Sequence, residues 1–348
     1  MNSNKASFYG FTLEEAQQVV TGLDAPKFRA KQIMEWLYQK HIAEFKEASN
    51  LPGDLISKLE EQYQISSLHL SEALDSGNGQ SVKYLFRTED GRLLESVLIT
   101  QQNRHTVCVS TQLGCKIGCV FCASGKGKFG RNLTTGEIVD QAAQIEKHIG
   151  KKISNVVFMG MGEPLDNFEA TMKALEILQA PWGFGLSSRR ITVSTSGITP
   201  RIVEFVKRNE GRVRLSVSLH SSDEARRTEL VPINKKYSLK ELIQTLNQIH
   251  KELKRSITFE YTLIAGVNDS RREAEGVARI AAPLKAKVNI IPYNPIREMD
   301  FKTPSTESIE TFRQILERYK VRVIIRQTAG REIHAACGQL RLDREIQI

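Results

Sequence analysis

The stretch Cys115-Lys116-Ile117-Gly118-Cys119-Val120-Phe121-Cys122 places three cysteines in the spacing C-x3-C-x2-C. Three thiolates on one short loop can bind three irons of a [4Fe-4S] cluster, which normally takes four cysteine ligands. The fourth iron stays open to a small molecule, as a catalytic zinc ion keeps an open position. Two alternatives are buried free thiols, which do not need this spacing, and a structural zinc site, which needs a fourth ligand. The spacing favours a cluster.

This loop resembles the cluster-binding loop of the radical S-adenosylmethionine (SAM) enzymes, in which the same spacing recurs. Phe121 also fits, because in those enzymes the residue before the third cysteine usually lies near the adenine of SAM. The resemblance implies one [4Fe-4S] cluster per chain, bound by Cys115, Cys119 and Cys122, with SAM at the open iron.

Composition limits the class of protein. The 348 residues suffice for one large domain and a small one, and 40% of them are hydrophobic. No apolar run approaches the length of a membrane span, and residues 1–17 lack the pattern of a signal peptide. Three of the five cysteines lie in one motif, which argues against a disulfide scaffold, and an oxygen-sensitive cluster needs a reducing compartment. We therefore expect a cytoplasmic protein.

The charge indicates a polyanionic partner. The formal net charge is +9, and a basic balance of this kind is typical of proteins that bind nucleic acids. Residues 1–70 contain seven Lys or Arg and nine acidic residues, so the remainder carries +11. Basic pairs recur in that remainder, among them Arg189-Arg190, Arg226-Arg227, Lys235-Lys236, Lys254-Arg255 and Arg271-Arg272. A single pair is typical of any solvated surface, but their number favours a nucleic-acid substrate.

Residues 1–70 predict a small helical accessory domain. Thr12–Glu15 is a capping box, a second helix covers about 27–39, and a third follows Asn50 with Pro52 in its first turn. The apolar face of the second helix is predicted to contain Phe28, Ile33, Trp36 and Leu37. Candidate phosphate contacts are Lys27, Arg29, Lys31 and Lys40. The alternative function of this domain is to pack as a lid on the core.

Alternating residues in 71–100 predict a β extension, with Glu95 among the apolar residues of its second strand. A carboxylate there is usually on the solvated face, whereas a buried one would have a raised pKa and could act as a base. Residues 101–331 alternate strands with amphipathic helices and predict a parallel sheet curled into a partial (β/α)6-type barrel. Capping boxes at Thr134–Glu137 and Ser238–Glu241 open two of those helices.

Polar or glycine-rich runs follow the strands of this barrel, where ligands bind. They are Gly160–Pro164, Ser194–Gly197, Ser218–Ser221 and Pro292–Pro295. Glycines allow close approach of the backbone to a ligand, and Glu163 can accept a hydrogen bond from an ammonium group. Each run alone is also typical of a turn or a helix cap. Because the cysteine loop follows another strand of the same barrel, the runs and the loop together predict one site.

The chain is further similar to the RlmN family, in the motifs GMGEP at 160–164, STSG at 194–197, SLH at 218–220, YNP at 293–295 and ACGQL at 336–340. Members are radical SAM adenine-C2 methyltransferases of large-subunit ribosomal RNA, and some act on transfer RNA. The resemblance implies SAM contacts by Gly162, Glu163, Ser194, Ser218, Leu219, His220 and Asn294. It also implies that Glu95 is the general base.

The resemblance assigns the remaining cysteines as well. Cys337, in a tail at 332–348, would accept a methyl group from a first SAM, and a second SAM would give a 5′-deoxyadenosyl radical. Cys108 would then attack the sulfur of Cys337 and release the methylated base as a disulfide forms. Two SAM molecules are thus expected per turnover. Expected partners are 23S ribosomal RNA, transfer RNA and an electron donor such as flavodoxin, with no membrane and a monomeric protein.

Three alternatives stay open. The Cfr-type relative methylates C8 of the same adenine, but it generally has alanine where Pro164 stands, which favours C2. A radical SAM activase would not need Cys108 and Cys337. A zinc-stapled RNA-binding assembly factor would be colourless, whereas an iron–sulfur protein is brown.

Overall fold

The computed structural model describes residues 5–296, 299–326, 333 and 335–340. The chain begins with three helices, α1 (Leu13–Gly22), α2 (Phe28–Glu35) and α3 (Gly53–Gln62), flanked by the short paired strands β1 (Ala6–Ser7) and β2 (Tyr63–Gln64). Thr12 and Glu15 form the predicted reciprocal capping box at α1. Pro52 is the residue before α3 and does not lie in its first turn.

One ten-stranded sheet forms the centre of the molecule. Its strands are β3 (Leu68–Asp75), β4 (Ser81–Thr88), β5 (Leu93–Gln101), β6 (Arg104–Cys108), β7 (Asn155–Phe158), β8 (Ile191–Thr195), β9 (Arg214–Ser218), β10 (Thr258–Leu263), β11 (Lys287–Pro292) and β12 (Arg322–Ile325). They lie in chain order across the sheet. From β3 to β6 neighbours are antiparallel, and from β6 to β12 they are parallel.

Helices connect the parallel strands. They are α4 (Thr135–Ile149), α5 (Phe168–Gln179), α6 (Thr199–Arg208), α7 (Glu224–Leu230), α8 (Leu239–Ile249), α9 (Arg271–Ala281) and α10 (Thr306–Arg318). The helices pack on the sheet through fully buried apolar residues such as Val139, Ile202 and Leu246. This βα alternation confirms the predicted mixed α/β radical SAM fold.

The sheet curls without closing. Within the described residues its outer strands are β3 and β12, and each has one neighbour. Residues of β5 and β6 nevertheless share a cavity with residues of β12, six strands away from β6. The concave face is therefore the inside of a partial barrel, and the carboxyl ends of the parallel strands form its mouth.

Several local expectations differ from the structure. Ser238 accepts a hydrogen bond from Glu241 N, but the Glu241 carboxylate binds the Thr199 hydroxyl, so only half of that capping box forms. Phe28 was expected on an apolar face and is 57% exposed, because α2 buries Ala30, Ile33 and Met34. Arg227, one of the predicted surface cations, is fully buried.

The domain limits at 70, 100 and 331 stay predictions. One continuous apolar core includes Phe8 and Leu37 of the N-terminal part, Phe86 of the extension and Val288 of the barrel. Residue 331 itself lies outside the described residues, as does most of the predicted tail. No helix among the described residues is long and apolar enough to span a membrane.

Candidate active site

The cysteine loop leaves the carboxyl end of β6 and packs against the mouth of the barrel. Val120 N donates to Leu230 O at 3.1 Å. Ile117 and Phe121 are buried with Leu230, Val231, Ile264 and Tyr293 in a separate apolar cluster, against which the three cysteines pack. Gly114 has a φ of +80° and approaches Lys128 O so closely that a Cβ there would lie 2.6 Å from that oxygen. The loop therefore has a fixed shape.

Cys115, Cys119 and Cys122 line one cavity of about 160 Å³. Burial raises the pKa of Cys115 to about 12 and also raises the pKa of Cys119 and Cys122. The charges of Cys122 and Cys115 add to the effect at Cys119, so the thiols lie close together. Such thiols stay protonated until a cation replaces the protons, which is how metal binding couples to deprotonation.

The donor set fits an iron–sulfur cluster. Within the described part of the chain, no three His, Cys, Asp or Glu side chains are arranged to hold a single metal ion. A cubane does not require this, because its thiolates bind separate irons. Among the described residues, the buried Tyr293 hydroxyl in the same cavity wall has no hydrogen-bond partner. A buried polar group left unpaired is costly, so the cavity is built for a polar occupant.

The glycine-rich turn after β7 contributes Gly160, Gly162 and Glu163 to the cavity wall. Gly162 has a φ of +99°, and a Cβ on it would lie 2.5 Å from the Cβ of Gln112. A Cβ on Gly160 would lie 2.7 Å from Val109 O. The glycines were expected to let a ligand approach the backbone, but the close approach that the structure shows is to the chain's own segment 109–112.

Glu163 is buried, and its carboxylate is already hydrogen-bonded. Oε2 accepts from Ser196 N and Ser196 Oγ, both at 2.7 Å, and Oε1 accepts from Leu165 N at 3.1 Å. Burial raises the pKa of Glu163 despite these bonds. Ser194, at the end of β8, lies in the same wall. Glu163 therefore braces two strand ends and presents an edge of its carboxylate to the cavity.

The SLH run ends β9. Ser218 and His220 line the cavity, but Leu219 does not, because its side chain is fully buried in the main core. A SAM contact by Leu219 would have to use its backbone. His220 has a φ of +57°, accepts from Thr262 N at 3.0 Å through Nδ1 and packs edge-on against Phe121. Burial, assisted by Arg227, lowers the pKa of His220 to about 3, so its ring is neutral.

Arg227 lies behind the mouth and was missed as a site residue. Its guanidinium donates to Ser196 O at 2.7 Å, to Ser218 O at 3.1 Å and to Leu219 O at 3.2 Å. It also donates to Asn234 Oδ1. Burial lowers the pKa of Arg227 to about 10. Leu230, three residues later, could have identified Arg227 as buried, because the two residues share the buried face of α7.

The described part of the tail lies across the mouth. Asn294 Nδ2 donates to Cys337 O at 3.2 Å, Ala123 N donates to Gly338 O at 2.8 Å, and Ser124 Oγ donates to Leu340 O at 2.6 Å. Cys337 and Gly338 therefore line the cavity with the three loop cysteines. The structure brings Asn294 and Cys337 into the site, as expected.

Cys108 lies at the end of β6, in a small cluster with Val97, Met161, Ala335 and Leu340. Burial raises the pKa of Cys108 to about 12, and nearby Cys337 adds to the effect. All five cysteines are free thiols in the structure, so the predicted Cys108–Cys337 disulfide is not formed in it.

Arg326, directly after β12, faces both thiols and was also missed. Its Nη1 lies 3.7 Å from Met159 Sδ, and its side chain lines the cavity. The charge of Cys337 is the largest cause that raises the pKa of Arg326, and Glu260 and Cys108 contribute. Its position directly after a parallel strand could have identified Arg326 as a site residue, because the same criterion identified the other site residues.

Glu95 is 5% exposed and so is not on a solvated face. Lys83 Nζ lies 3.0 Å from its Oε1. Val97 pairs with Cys108 across β5 and β6, and Glu95 is two residues from Val97, so Glu95 and Cys108 share the concave face. Glu95 does not line the cavity of the loop cysteines.

Known proteins resemble this chain over almost its full length. "Probable dual-specificity RNA methyltransferase RlmN" of Clostridium botulinum (strain Alaska E43 / Type E3) is 43% identical over 331 residues, which are 95% of each chain. "Dual-specificity RNA methyltransferase RlmN" of Geotalea uraniireducens (strain Rf4) is 42% identical over 345 residues, 99% of each chain. A solved radical SAM methyltransferase from Sphaerobacter thermophilus is 40% identical with a TM-score of 0.93, covering 97% of this chain and 100% of that one.

The barrel, the three-cysteine loop at its mouth and the shared cavity define a radical SAM enzyme, and a family model described as the radical SAM superfamily matches residues 109–275. A second model, described as the ribosomal RNA large subunit methyltransferase N-terminal domain, matches residues 7–65. With relatives above 40% identity along the whole chain, the protein belongs to the RlmN family of radical SAM RNA methyltransferases.

Proposed function

We propose that the protein methylates C2 of a specific adenine in 23S ribosomal RNA, at the peptidyl transferase centre, and that transfer RNA is a second substrate. The observation that carries the proposal is the meeting of Cys337 with the three loop cysteines at one cavity, with Cys108 near Cys337. Adenine C2 lies between two ring nitrogens and is electron-poor, so it does not attack the methyl group of SAM directly. A relay through protein thiols avoids that difficulty.

Cys115, Cys119 and Cys122 would hold one [4Fe-4S] cluster, and the wall formed by Gly162, Glu163, Ser194, Ser218, His220 and Asn294 would hold SAM. Leu219 would contribute only backbone. When bound, the cluster and SAM supply the radical that abstracts hydrogen from a methyl group. The His220 ring is neutral, and the Glu163 carboxylate is held in place by hydrogen bonds. Both would orient the polar groups of the ligand without placing a positive charge in the cavity.

Cys337 accepts the methyl group first. Its thiolate attacks the methyl carbon of SAM, a new S–C bond forms as the sulfonium S–C bond breaks, and S-adenosylhomocysteine leaves. Arg326 faces this thiol and would pair with its thiolate. A second SAM is used in the radical step, which gives two SAM molecules per turnover. The radical adduct would return one electron to the oxidised cluster, and the adenine stays joined to Cys337 through a methylene bridge.

Cys108 then resolves this adduct. Its thiolate attacks the Cys337 sulfur, a disulfide forms, and the electron pair of the broken S–C bond goes to the methylene carbon, which takes up a proton to become the methyl group. Because the pKa of Cys108 is raised to about 12, the thiol needs a base or a nearby cation, and Arg326 is such a cation. Glu95, on the same face of the sheet, is proposed to take the proton from adenine C2.

The remaining expectations are also proposals. The net charge of +9 supports an RNA substrate, and the reduction steps need an electron donor such as flavodoxin. We propose a cytoplasmic monomer. Pro164, which lines the cavity, favours C2 over the C8 position that Cfr-type relatives modify.

Replacement of Cys108 by alanine tests the relay. The variant should keep its iron, consume SAM and accumulate a covalent protein–RNA adduct, because nothing can attack the Cys337 sulfur. The measurement is a denaturing gel with labelled RNA, together with mass spectrometry of the product formed by wild-type protein.

The matched control is Cys337→Ala, which should form neither adduct nor product while it keeps the cluster. If Cys108→Ala consumed SAM normally and formed no adduct, Cys108 would not be the resolving thiol. If wild-type protein made 8-methyladenine, the C2 assignment would be wrong.

A further inference from the structure

Five basic side chains lie together at the end of the barrel opposite its mouth. Arg189 precedes β8, Arg214 begins β9, Arg255 precedes β10, Lys287 begins β11 and Arg322 begins β12. Four of them are exposed, and Lys287 is half-buried. These five residues, named here the basal strip, follow five neighbouring strands in spatial order.

The residues of the basal strip are close enough to repel one another. Lys287 and Arg322 are direct partners in the register of β11 and β12. The pKa of Lys287 is lowered by burial and by the charges of Arg322, Arg214 and Arg255. The pKa of Arg214 is likewise lowered by burial, then by Arg255 and Arg189. Like charges directly opposite each other on neighbouring strands destabilise a sheet.

No acidic side chain compensates this charge among the described residues, since none of the five takes part in an ion pair there. Elsewhere on the surface, arginines such as Arg226 and Arg313 are paired with glutamates within one helical turn. An unpaired strip that costs stability points to an anionic partner that supplies the missing charge.

The shape of the strip indicates what that partner is. Neighbouring strands are about 4.8 Å apart, so five of them extend over roughly 20 Å, which suits a run of phosphates better than a single small anion. The strip is about 13–20 Å from the mouth, because the strands have four to six residues that each rise about 3.3 Å. An electron-donating protein bound there would be at the wrong end of the barrel to reach the cysteine loop.

We propose that the basal strip binds the phosphate backbone of an RNA segment remote from the target adenine, so that the substrate extends from the mouth of the barrel around to its opposite end. The inference rests on the proposed RNA methyltransferase function and adds that the enzyme reads more of the RNA than the target base. Short RNA fragments reach the mouth alone, whereas long substrates also contact the strip.

The test compares the holoenzyme with its Arg214→Gln/Arg255→Gln variant. Two RNAs are compared, a structured transcript and a short hairpin that carries only the target adenine. Binding of each is measured between 50 and 300 mM salt, a range of roughly sixfold that resolves counterion release. For the transcript, the variant should bind roughly tenfold more weakly, and the slope of log K against log salt should fall by about two. Hairpin affinity and the methylation rate of saturating hairpin should not change.

The matched control is Arg226→Gln/Arg313→Gln, which removes two exposed arginines that already have partners. It should bind both RNAs like the wild type. The Arg214→Gln/Arg255→Gln variant should also be as stable as the wild type or more so, since a repulsion is relieved. If the double variant failed to fold, the single variant that folds, Arg214→Gln or Arg255→Gln, gives the same comparison.

Three outcomes would overturn the inference. The first is that the variant binds the transcript like the wild type. The second is that it binds transcript and hairpin more weakly by the same factor. The third is that RNA binding is unchanged but turnover is slower when a protein supplies the electrons and normal when dithionite supplies them. The last would assign the strip to an acidic electron donor. A wild-type enzyme that methylates no RNA would instead contradict the proposed function, and the binding comparison would still decide the role of the strip.

Discussion

Arg326 connects the two thiols of the proposed relay. It lies at the end of β12, lines the cavity beside Cys337, and is influenced by the charges of Cys337, Glu260 and Cys108 in that order. A cation in this place would pair with the thiolate that the proposed attack on SAM requires.

Replacement of Arg326 by glutamine should therefore slow methyl transfer to Cys337 by about tenfold or more. A hydrogen bond to a charged group is typically worth roughly 1.5–3 kcal/mol. The measurement is the rate at which the Cys337 peptide gains one methyl group, followed by mass spectrometry.

Arg326→Lys should recover part of that rate, and Arg322→Gln, on the same strand but exposed, should leave it unchanged. A glutamine variant with a normal rate would assign Arg326 to packing alone.

At the residue scale, the sequence identified site residues that directly follow a strand. It did not identify Arg227, which supports the cavity wall without lining it. Cys115, Glu163 and Asn294 reach the cavity because parallel strands end at one mouth. Leu219 shares the same run, but alternation turns its side chain into the core. Arg227 reads as a surface cation beside Arg226, and only the packing of α7 shows that it is buried.

At the scale of secondary structure, Arg227 ties the carboxyl ends of β8 and β9 to α7 through carbonyl oxygens of Ser196, Ser218 and Leu219. These carbonyls belong to the STSG and SLH runs that form the cavity wall. Their geometry therefore depends on one buried guanidinium.

Arg227→Met should lower the free energy of unfolding by about 3–5 kcal/mol, because it leaves several buried acceptors without a donor. It should also weaken SAM binding by the holoenzyme. Arg226→Met, one residue away and exposed, should change neither quantity. Urea unfolding and equilibrium binding of SAM measure the two effects. Equal stabilities of the two variants would contradict this role for Arg227.

Most elements could be predicted because their signals are local. The capping boxes at Thr12 and Thr134 form as expected. The box at Ser238 is incomplete because Glu241 finds a tertiary partner in Thr199, which no local pattern reveals. Phe28 is exposed for a similar reason, since which face of α2 is buried depends on what packs against it.

At the scale of the molecule, the N-terminal part is joined to the barrel by more than its linker. Asp140 Oδ2 accepts from Ser66 Oγ, Ser67 N and Leu68 N at 2.6–3.0 Å, and Glu146 Oε1 lies 3.0 Å from His41 Nε2. The apolar core is continuous across this contact. These contacts indicate one cooperative unit.

We therefore expect a single unfolding transition. The chain has two tryptophans, Trp36 in the N-terminal part and Trp182 in the barrel part, and Trp182 packs near Tyr38. Single-tryptophan variants, Trp36→Phe and Trp182→Phe, should unfold in urea with the same midpoint by fluorescence and by circular dichroism. Separate midpoints within one variant would show that the two parts unfold independently.

Within the described residues, the tail is fastened by four hydrogen bonds, three through its main-chain oxygens and one from Gln339 Nε2 to Pro295 O. Two of the four come from Ala123 and Ser124, directly after the last cysteine of the loop. Oxidative loss of iron that loosens this loop would release Cys337 at the same moment. Such a molecule would neither generate the radical nor methylate Cys337. RNA would therefore not stay covalently bound to it in an unresolved adduct. On the proposed mechanism, the shared anchorage would make the enzyme fail as a unit, before it commits to a substrate.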